Sequence, residues 1–279
     1  MRLKHLQSAL SSVPNPQFVD PNISLEQYAT SPILCSYIIQ AAFENDDIEG
    51  RSVLDLGCGT GMLSIGSALV GSPHIIMVDC DVGAMGIAME NVQSMEITDT
   101  ENEDCCIVEF ILAKVNHVAK KTRGGAEMKG KGGRGGKGKG RSSGPMPKQN
   151  HTLEQEPPIS SPSQITAEDD GIPLLSGCVD TVITNPPFGT KPGNAGIDVT
   201  FLRTAIRLAR RAVYSFHKTS TRPYLVKLVQ SWGYEIEVVA QMKFDIPKMY
   251  KFHKENNVDV DVDLIRVIVC SKQDHQGED

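Results

Sequence analysis

The 279 residues suffice for one α/β domain of the larger kind plus extras, or for two small domains, and 40% hydrophobic content implies a substantial core. No stretch approaches the roughly 18 apolar residues of a membrane span, and the charged start Met1-Arg2-Leu3-Lys4-His5-Leu6-Gln7 lacks the apolar run of a secretion signal. These features predict a soluble, intracellular protein. Seven cysteines, irregularly spaced and never paired as Cys-x-x-Cys, argue against zinc ribbons and redox sites, so buried free thiols and no metal are expected.

The net charge of −6 averages two unlike parts. Between Lys120 and Lys148 ten Lys or Arg face the single acid Glu127, which leaves roughly −15 on the remainder. This Gly/Lys/Arg tract runs into Pro-rich sequence from Pro145 to Pro162. Apolar side chains are too sparse over 122–171 to offset ordering entropy, so a disordered insertion is expected there. It divides the ordered sequence into 1–121 and 172–270, with 271–279 as a flexible tail.

The elements alternate. Val53 to Leu56 reads as a buried strand, Met62 to Val70 as a helix, Ile75 to Val78 as a second strand and Val82 to Met95 as a second helix. Cys106 to Ala113 is a third strand and Val179 to Thr184 a fourth, followed by a helix from Val199 to Arg211. A short strand at Ala212 to Phe216 and a helix at Tyr224 to Trp232 come next, and Tyr234–Phe244 with Val258–Val269 alternate like an antiparallel hairpin. The pattern predicts an α/β fold: a Rossmann-like, doubly wound, mostly parallel sheet ending in that hairpin.

Between the first strand and helix lies Asp55-Leu56-Gly57-Cys58-Gly59-Thr60-Gly61. Its glycines are spaced Gly-x-Gly-x-Gly, not the Gly-x-Gly-x-x-Gly of a dinucleotide cradle, and Asp55 before them disfavours a phosphate. Asp79 ends the second strand, the position from which an acid bonds ribose hydroxyls. A glycine turn and a ribose acid without a phosphate site imply S-adenosyl-L-methionine.

Asn185-Pro186-Pro187-Phe188 follows the fourth strand and so faces the same crevice. A planar amino group such as adenine N6 is a poor nucleophile, because its lone pair is delocalised. The Asn185 oxygen and the Pro186 carbonyl can accept from its N–H groups and localise that lone pair. The rigid prolines spare the acceptors any reorganisation. Phe188 offers a face on which a base can stack.

These two motifs resemble the class I amino-methyltransferases. A finer resemblance is to the methyltransferase-like protein 5 family, eukaryotic N6-adenosine methyltransferases of small-subunit (18S) ribosomal RNA. It rests on Leu25-Glu26-Gln27-Tyr28-Ala29-Thr30, on Asn185 to Lys191, on Ala212 to Lys218, and on Tyr250 to Lys254 with Val260 to Arg266. The resemblance implies that Gln27 and Thr30 close over the cofactor, that the substrate is ribosomal RNA, and that the protein works in nucleus and cytoplasm. It also implies a heterodimer with a small zinc-binding methyltransferase activator subunit. Two features depart from the family: Ala113-Lys114 stands where an acid bonds the cofactor's adenine amino group, and the insertion is foreign. His217, His253, Lys218, Lys251 and Lys254 are candidates for RNA phosphates. Two other readings stay open: a protein-glutamine methyltransferase, whose amide needs the same two acceptors, and a non-catalytic ribosome-assembly factor.

Overall fold

The computed structural model describes residues 2–98, 105–117, 161–191, 193–247 and 257–270, the side chains of 244–247 and 257–260 excepted. The Gly/Lys/Arg tract, Lys251, His253, Lys254 and the tail 271–279 lie outside the described residues.

A single seven-stranded sheet organises the domain. Strands β1 (Ser52–Leu56), β2 (His74–Asp79), β3 (Ile107–Leu112), β4 (Val179–Thr184), β5 (Ala209–Lys218), β6 (Glu235–Pro247) and β7 (Asn257–Ile268) take the order β3-β2-β1-β4-β5-β7-β6. β7 runs antiparallel to both β5 and β6, and the pairings among β1 to β5 are parallel. The central strands are apolar at consecutive positions because both faces are covered: Val53, Leu54, Leu56, Val182 and Ile183 are fully buried. Helices α1 (Leu3–Leu10), α2 (Pro32–Glu44), α3 (Met62–Leu69), α4 (Val82–Ser94), α5 (Ala167–Asp170), α6 (Ile197–Leu208) and α7 (Arg222–Ser231) complete the domain.

Local chemistry fixes the helix starts nearest the site. Ser31 caps α2 through Leu34 N–H, with Pro32 in the first turn, and Asp81 caps α4 through the N–H groups of Gly83 and Ala84. Each such cap is worth about 1 kcal/mol. The glycine turn delivers β1 into α3: Gly61 has φ 84°, and a Cβ there would stand 2.9 Å from Met77 Cε. Helices α1 and α2 were not among the elements expected from the sequence. Leu6, Leu10, Ile38 and Ile39 are nevertheless fully buried in the core that they share with α3.

Two boundaries differ from expectation. The helix expected to reach Arg211 stops at Leu208, and Ala209 already begins β5. The reason is tertiary: Arg211 Nε donates to the buried Asp47 at 2.6 Å, and Ala212 onward pairs with both β4 and β7. The end of the insertion also moves. Residues 161–171 form a 3-10 turn (Pro162–Gln164) and α5, where disorder was expected up to Gly171. Fully buried Asp170 accepts from Arg207 Nε at 2.7 Å and Nη2 at 3.0 Å, and Thr166 closes a capping box with Asp169. A sparse apolar count missed this because a paired buried charge, with Ile165 and Ile172, anchors the segment.

Candidate active site

The carboxyl ends of β1, β2, β3 and β4 open into one cavity of about 340 Å³. Such edges are where open α/β sheets bind ligands. Gln27, Thr30, Gly57, Gly59, Thr60, Asp79, Asn185 and Pro187 line it, so most residues singled out from the sequence converge. Asp55, Gly61, Pro186 and Phe188 lie outside that lining.

The two acids differ. Asp79 Oδ2 accepts Gly59 N–H at 2.8 Å and Oδ1 accepts Asp81 N–H at 2.9 Å, which fixes the carboxylate on the cavity wall and braces the glycine turn. Burial raises its pKa, and these backbone bonds offset the rise only partly. Asp55 is fully buried under the wall, with Ser64 N–H and Oγ both donating to Oδ2. Its Oδ1 finds no partner among the described residues. Burial, reinforced by the nearby charge of Asp79, pushes Asp55 up to about 7 against the Ser64 bonds.

On the other side, Asn185 Nδ2 donates to Thr30 Oγ1 at 3.1 Å. The amide is thereby oriented, and Oδ1 remains an acceptor. Thr184, just before it, ties β4 to the Leu56 carbonyl at 2.6 Å. Pro187 faces the cavity, whereas Phe188 is only 6% exposed and packs into the apolar core. The ring expected to stack a base is thus placed as a core residue, among apolar side chains that suit it better than solvent. The aromatic rings on the cavity wall are Phe18, Tyr28 and Phe201.

Residues 13–30 form a strap over this crevice. Asn15 exchanges two hydrogen bonds with the Asn91 side chain (3.0 and 2.8 Å), and Thr60 Oγ1 donates to Pro16 O at 3.1 Å. Phe18 stands so close to Gly59 that a Cβ there would meet its ring at 2.9 Å. Gln27 Oε1 accepts from Asn22 N–H and its Nε2 donates to Asp81 Oδ2 at 2.9 Å, so this side chain locks the strap to the α4 cap. Glu26, in the left-handed conformation with φ 52°, is 4% exposed. Its carboxylate accepts from Thr190 N–H and Oγ1, Lys191 N–H and Asn194 Nδ2. Burial alone would raise the Glu26 pKa, but the bonds from Asn194, Thr190 and Lys191 outweigh it and hold the pKa below its ordinary value. Local sequence signals revealed neither the strap nor its staple, because the partners that tie it to the rest of the domain are distant along the chain.

His217 does not fit a role in RNA contact. It is fully buried on β5, 2.9 Å from Ser215 Oγ through Nε2 and 3.3 Å from Asp198 through Nδ1. A strand paired on both sides leaves little access to solvent. Lys218, at the end of that strand, is half-buried. Among the described residues, no group of three or more His, Cys, Asp or Glu side chains is placed to hold a metal ion.

The model of the ribosomal protein L11 methyltransferase (PrmA) family matches residues 34–115, from α2 through β3. A crystal structure of a candidate RNA methyltransferase from Pyrococcus horikoshii superposes with a TM-score of 0.63 at 25% identity, covering 97% of this chain and 99% of that one. The rRNA N(6)-adenosine-methyltransferase Mettl5 of Drosophila melanogaster is 33% identical over 95% of this chain and 96% of its own length. The rRNA N(6)-adenosine-methyltransferase METTL5 of Danio rerio is 35% identical over 95% of this chain and 98% of its own length. Identity of 33–35% sustained over nearly the whole of each chain shows that this chain belongs to the METTL5 family of rRNA N(6)-adenosine-methyltransferases.

Proposed function

We propose that this protein transfers the methyl group of S-adenosyl-L-methionine to the N6 amino group of an adenosine in small-subunit ribosomal RNA. One observation carries the reading: the ribose-type acid Asp79 and an Asn185 with its Oδ1 left free by Thr30 line the same cavity. The residues present suit the cofactor. Asp79 can accept from ribose hydroxyls, and Gly57, Gly59 and Thr60 would hold the remainder along the turn. The carboxylate of Asp79 on the cavity wall suits a cationic ligand better than a pyrophosphate. When bound, S-adenosyl-L-methionine supplies an electrophilic methyl group on a sulfonium.

The chain's own groups do the rest. Asn185 Oδ1, on the cavity wall, accepts from an N–H bond of the substrate amino group and localises its lone pair, whereas Pro186, whose carbonyl the sequence offered as a second acceptor, lies outside the lining. Thr30 holds Asn185 so that this acceptor does not rotate away. The strap, closed over the crevice by Glu26 and Gln27, excludes water and aligns the reacting nitrogen. Tyr28 and Phe201 provide aromatic faces on the cavity wall.

The METTL5 relatives favour ribosomal RNA over a protein glutamine, and the intact acids and Asn185 favour catalysis over a scaffold role. The activator subunit belongs to the same proposal. Edge strand β3 exposes Ile107 at 60% and Leu112 at 58%, apolar side chains on an edge that a partner strand could pair. We place the protein in nucleus and cytoplasm, where ribosomal subunits are built and used. The test is transfer of labelled methyl to small-subunit ribosomal RNA with the activator present, followed by nucleoside analysis. Label in N6-methyladenosine is expected. Label in a protein glutamine, or cofactor binding without transfer, contradicts the proposal.

A further inference from the structure

Asn194 closes the loop that follows the Asn-Pro-Pro-Phe turn. Its N–H donates to Lys191 O at 3.0 Å and its carbonyl accepts from Ile197 N–H at 2.9 Å. Gly189, with φ 68°, lies so near that a Cβ there would stand 2.9 Å from the same carbonyl. The side chain reaches the strap, where Nδ2 donates to Ser24 O at 2.8 Å and to Glu26 Oε1 at 3.0 Å. Both amide protons thus lie on acceptors, which fixes the orientation of the amide and leaves its oxygen as the group still able to bond. Among the described residues no donor meets Asn194 Oδ1, and the atom keeps access to the surface.

Asn194 lines the same cavity as Asn185. The strap holds the two from residues four apart, Glu26 bonding Asn194 and Thr30 bonding Asn185. The Cα atoms of Glu26 and Thr30 are therefore separated by at most about 14 Å. The two asparagines differ in depth. Thr184, beside Asn185, is fully buried, whereas Gly193, Ala195 and Ser24 around Asn194 are exposed, so Asn194 stands at the rim. A nucleotide that presents its base to Asn185 enters base first, out of its stack, and leaves its ribose nearer the rim. Within an RNA chain the 3′ and 5′ oxygens are esterified and the phosphates carry no proton, so the 2′-hydroxyl is the donor that the sugar offers. An oriented acceptor at the rim can bond that group in RNA and finds no counterpart in DNA.

We propose that Asn194 Oδ1 accepts a hydrogen bond from the 2′-hydroxyl of the target adenosine, which makes Asn194 a residue that selects RNA over DNA. This rests on the reading of the cavity as an N6-adenosine methyltransferase site. The test measures methyl transfer, with the activator present, to a small-subunit ribosomal RNA fragment with one methylatable adenosine. The same fragment with 2′-deoxyadenosine at that position is the comparison. For the unmodified chain, loss of the hydroxyl should lower kcat/KM about threefold to tenfold, the worth of one neutral hydrogen bond. Asn194→Ala also loosens the loop, so it should slow transfer to both fragments but bring the two within about twofold of each other. Such non-additivity marks a direct contact. Asn194→Gln, which displaces the oxygen by one methylene, should likewise abolish the preference and serves if Asn194→Ala loses its cooperative thermal transition. No preference in the unmodified chain, or a preference that survives these substitutions, overturns the role of Asn194 and leaves the methyltransferase reading standing. No label in either fragment with the unmodified chain overturns both.

Discussion

One wall of the cavity is built from strand ends, the other from a strap with almost no regular structure, and they are held by different forces. Gly57, Gly59, Asp79 and Asn185 emerge within a few residues of β1, β2 and β4, whose side chains are buried on both faces. Their positions are enforced by the sheet itself, and moving them means breaking the core. The strap 13–30 is held by separate side-chain bonds: Asn15 to Asn91, Thr60 to Pro16, Gln27 to Asp81, Glu26 to the 190–194 loop, and Asn185 to Thr30. Each such bond contributes about 0.5–1.5 kcal/mol. A wall of this kind can open locally without unfolding the domain, which suits a site that must admit a cofactor and a large RNA.

Removing the staple should break the comparison most strongly. Glu26→Ala removes the acceptor of four hydrogen bonds from Thr190, Lys191 and Asn194, each worth about 0.5–1.5 kcal/mol. The strap should detach rather than the domain unfold. We expect methyl transfer to fall about tenfold to a hundredfold, with faster amide exchange confined to residues 22–30 and 189–191 and a nearly unchanged thermal midpoint. A drop in the midpoint with no change in local exchange would show the strap to be part of the core. Because the Glu26 pKa is depressed on folding, its contribution is present at neutral pH and is lost as pH falls through the lowered value.

Thr30→Val sharpens the same comparison with a smaller effect. It removes the hydroxyl that orients Asn185 and leaves the strap otherwise bonded. We expect kcat to fall about three- to tenfold, the equivalent of one modest hydrogen bond, with cofactor affinity unchanged. If affinity falls and kcat does not, Thr30 holds the cofactor instead, as the resemblance implied.

This division also explains what the sequence disclosed. Strands, the glycine turn, Asp79 and Asn-Pro-Pro-Phe are local patterns, readable because hydrophobic periodicity and turn chemistry act over a few residues. The staple from Glu26 to Thr190 spans 164 positions and the bond from Asn185 to Thr30 spans 155. No local rule reaches that far, and Thr30 was accessible only through resemblance. His217 and Phe188 show the reverse limit. Each has a residue type that suits a binding site, yet pairing of β5 on both sides and the packing around Phe188 bury them. The segment 161–171 was missed because one buried ion pair, Asp170 with Arg207, does what an apolar count cannot register.

The central claim is that Asn185 acts on the substrate amino group and not on the cofactor. Asn185→Ala should therefore be assayed on one preparation for both methyl transfer to small-subunit ribosomal RNA and binding of S-adenosylhomocysteine. The account predicts transfer reduced by at least about a hundredfold and a dissociation constant changed by less than about twofold. Retained turnover, or loss of binding in step with loss of transfer, would contradict it.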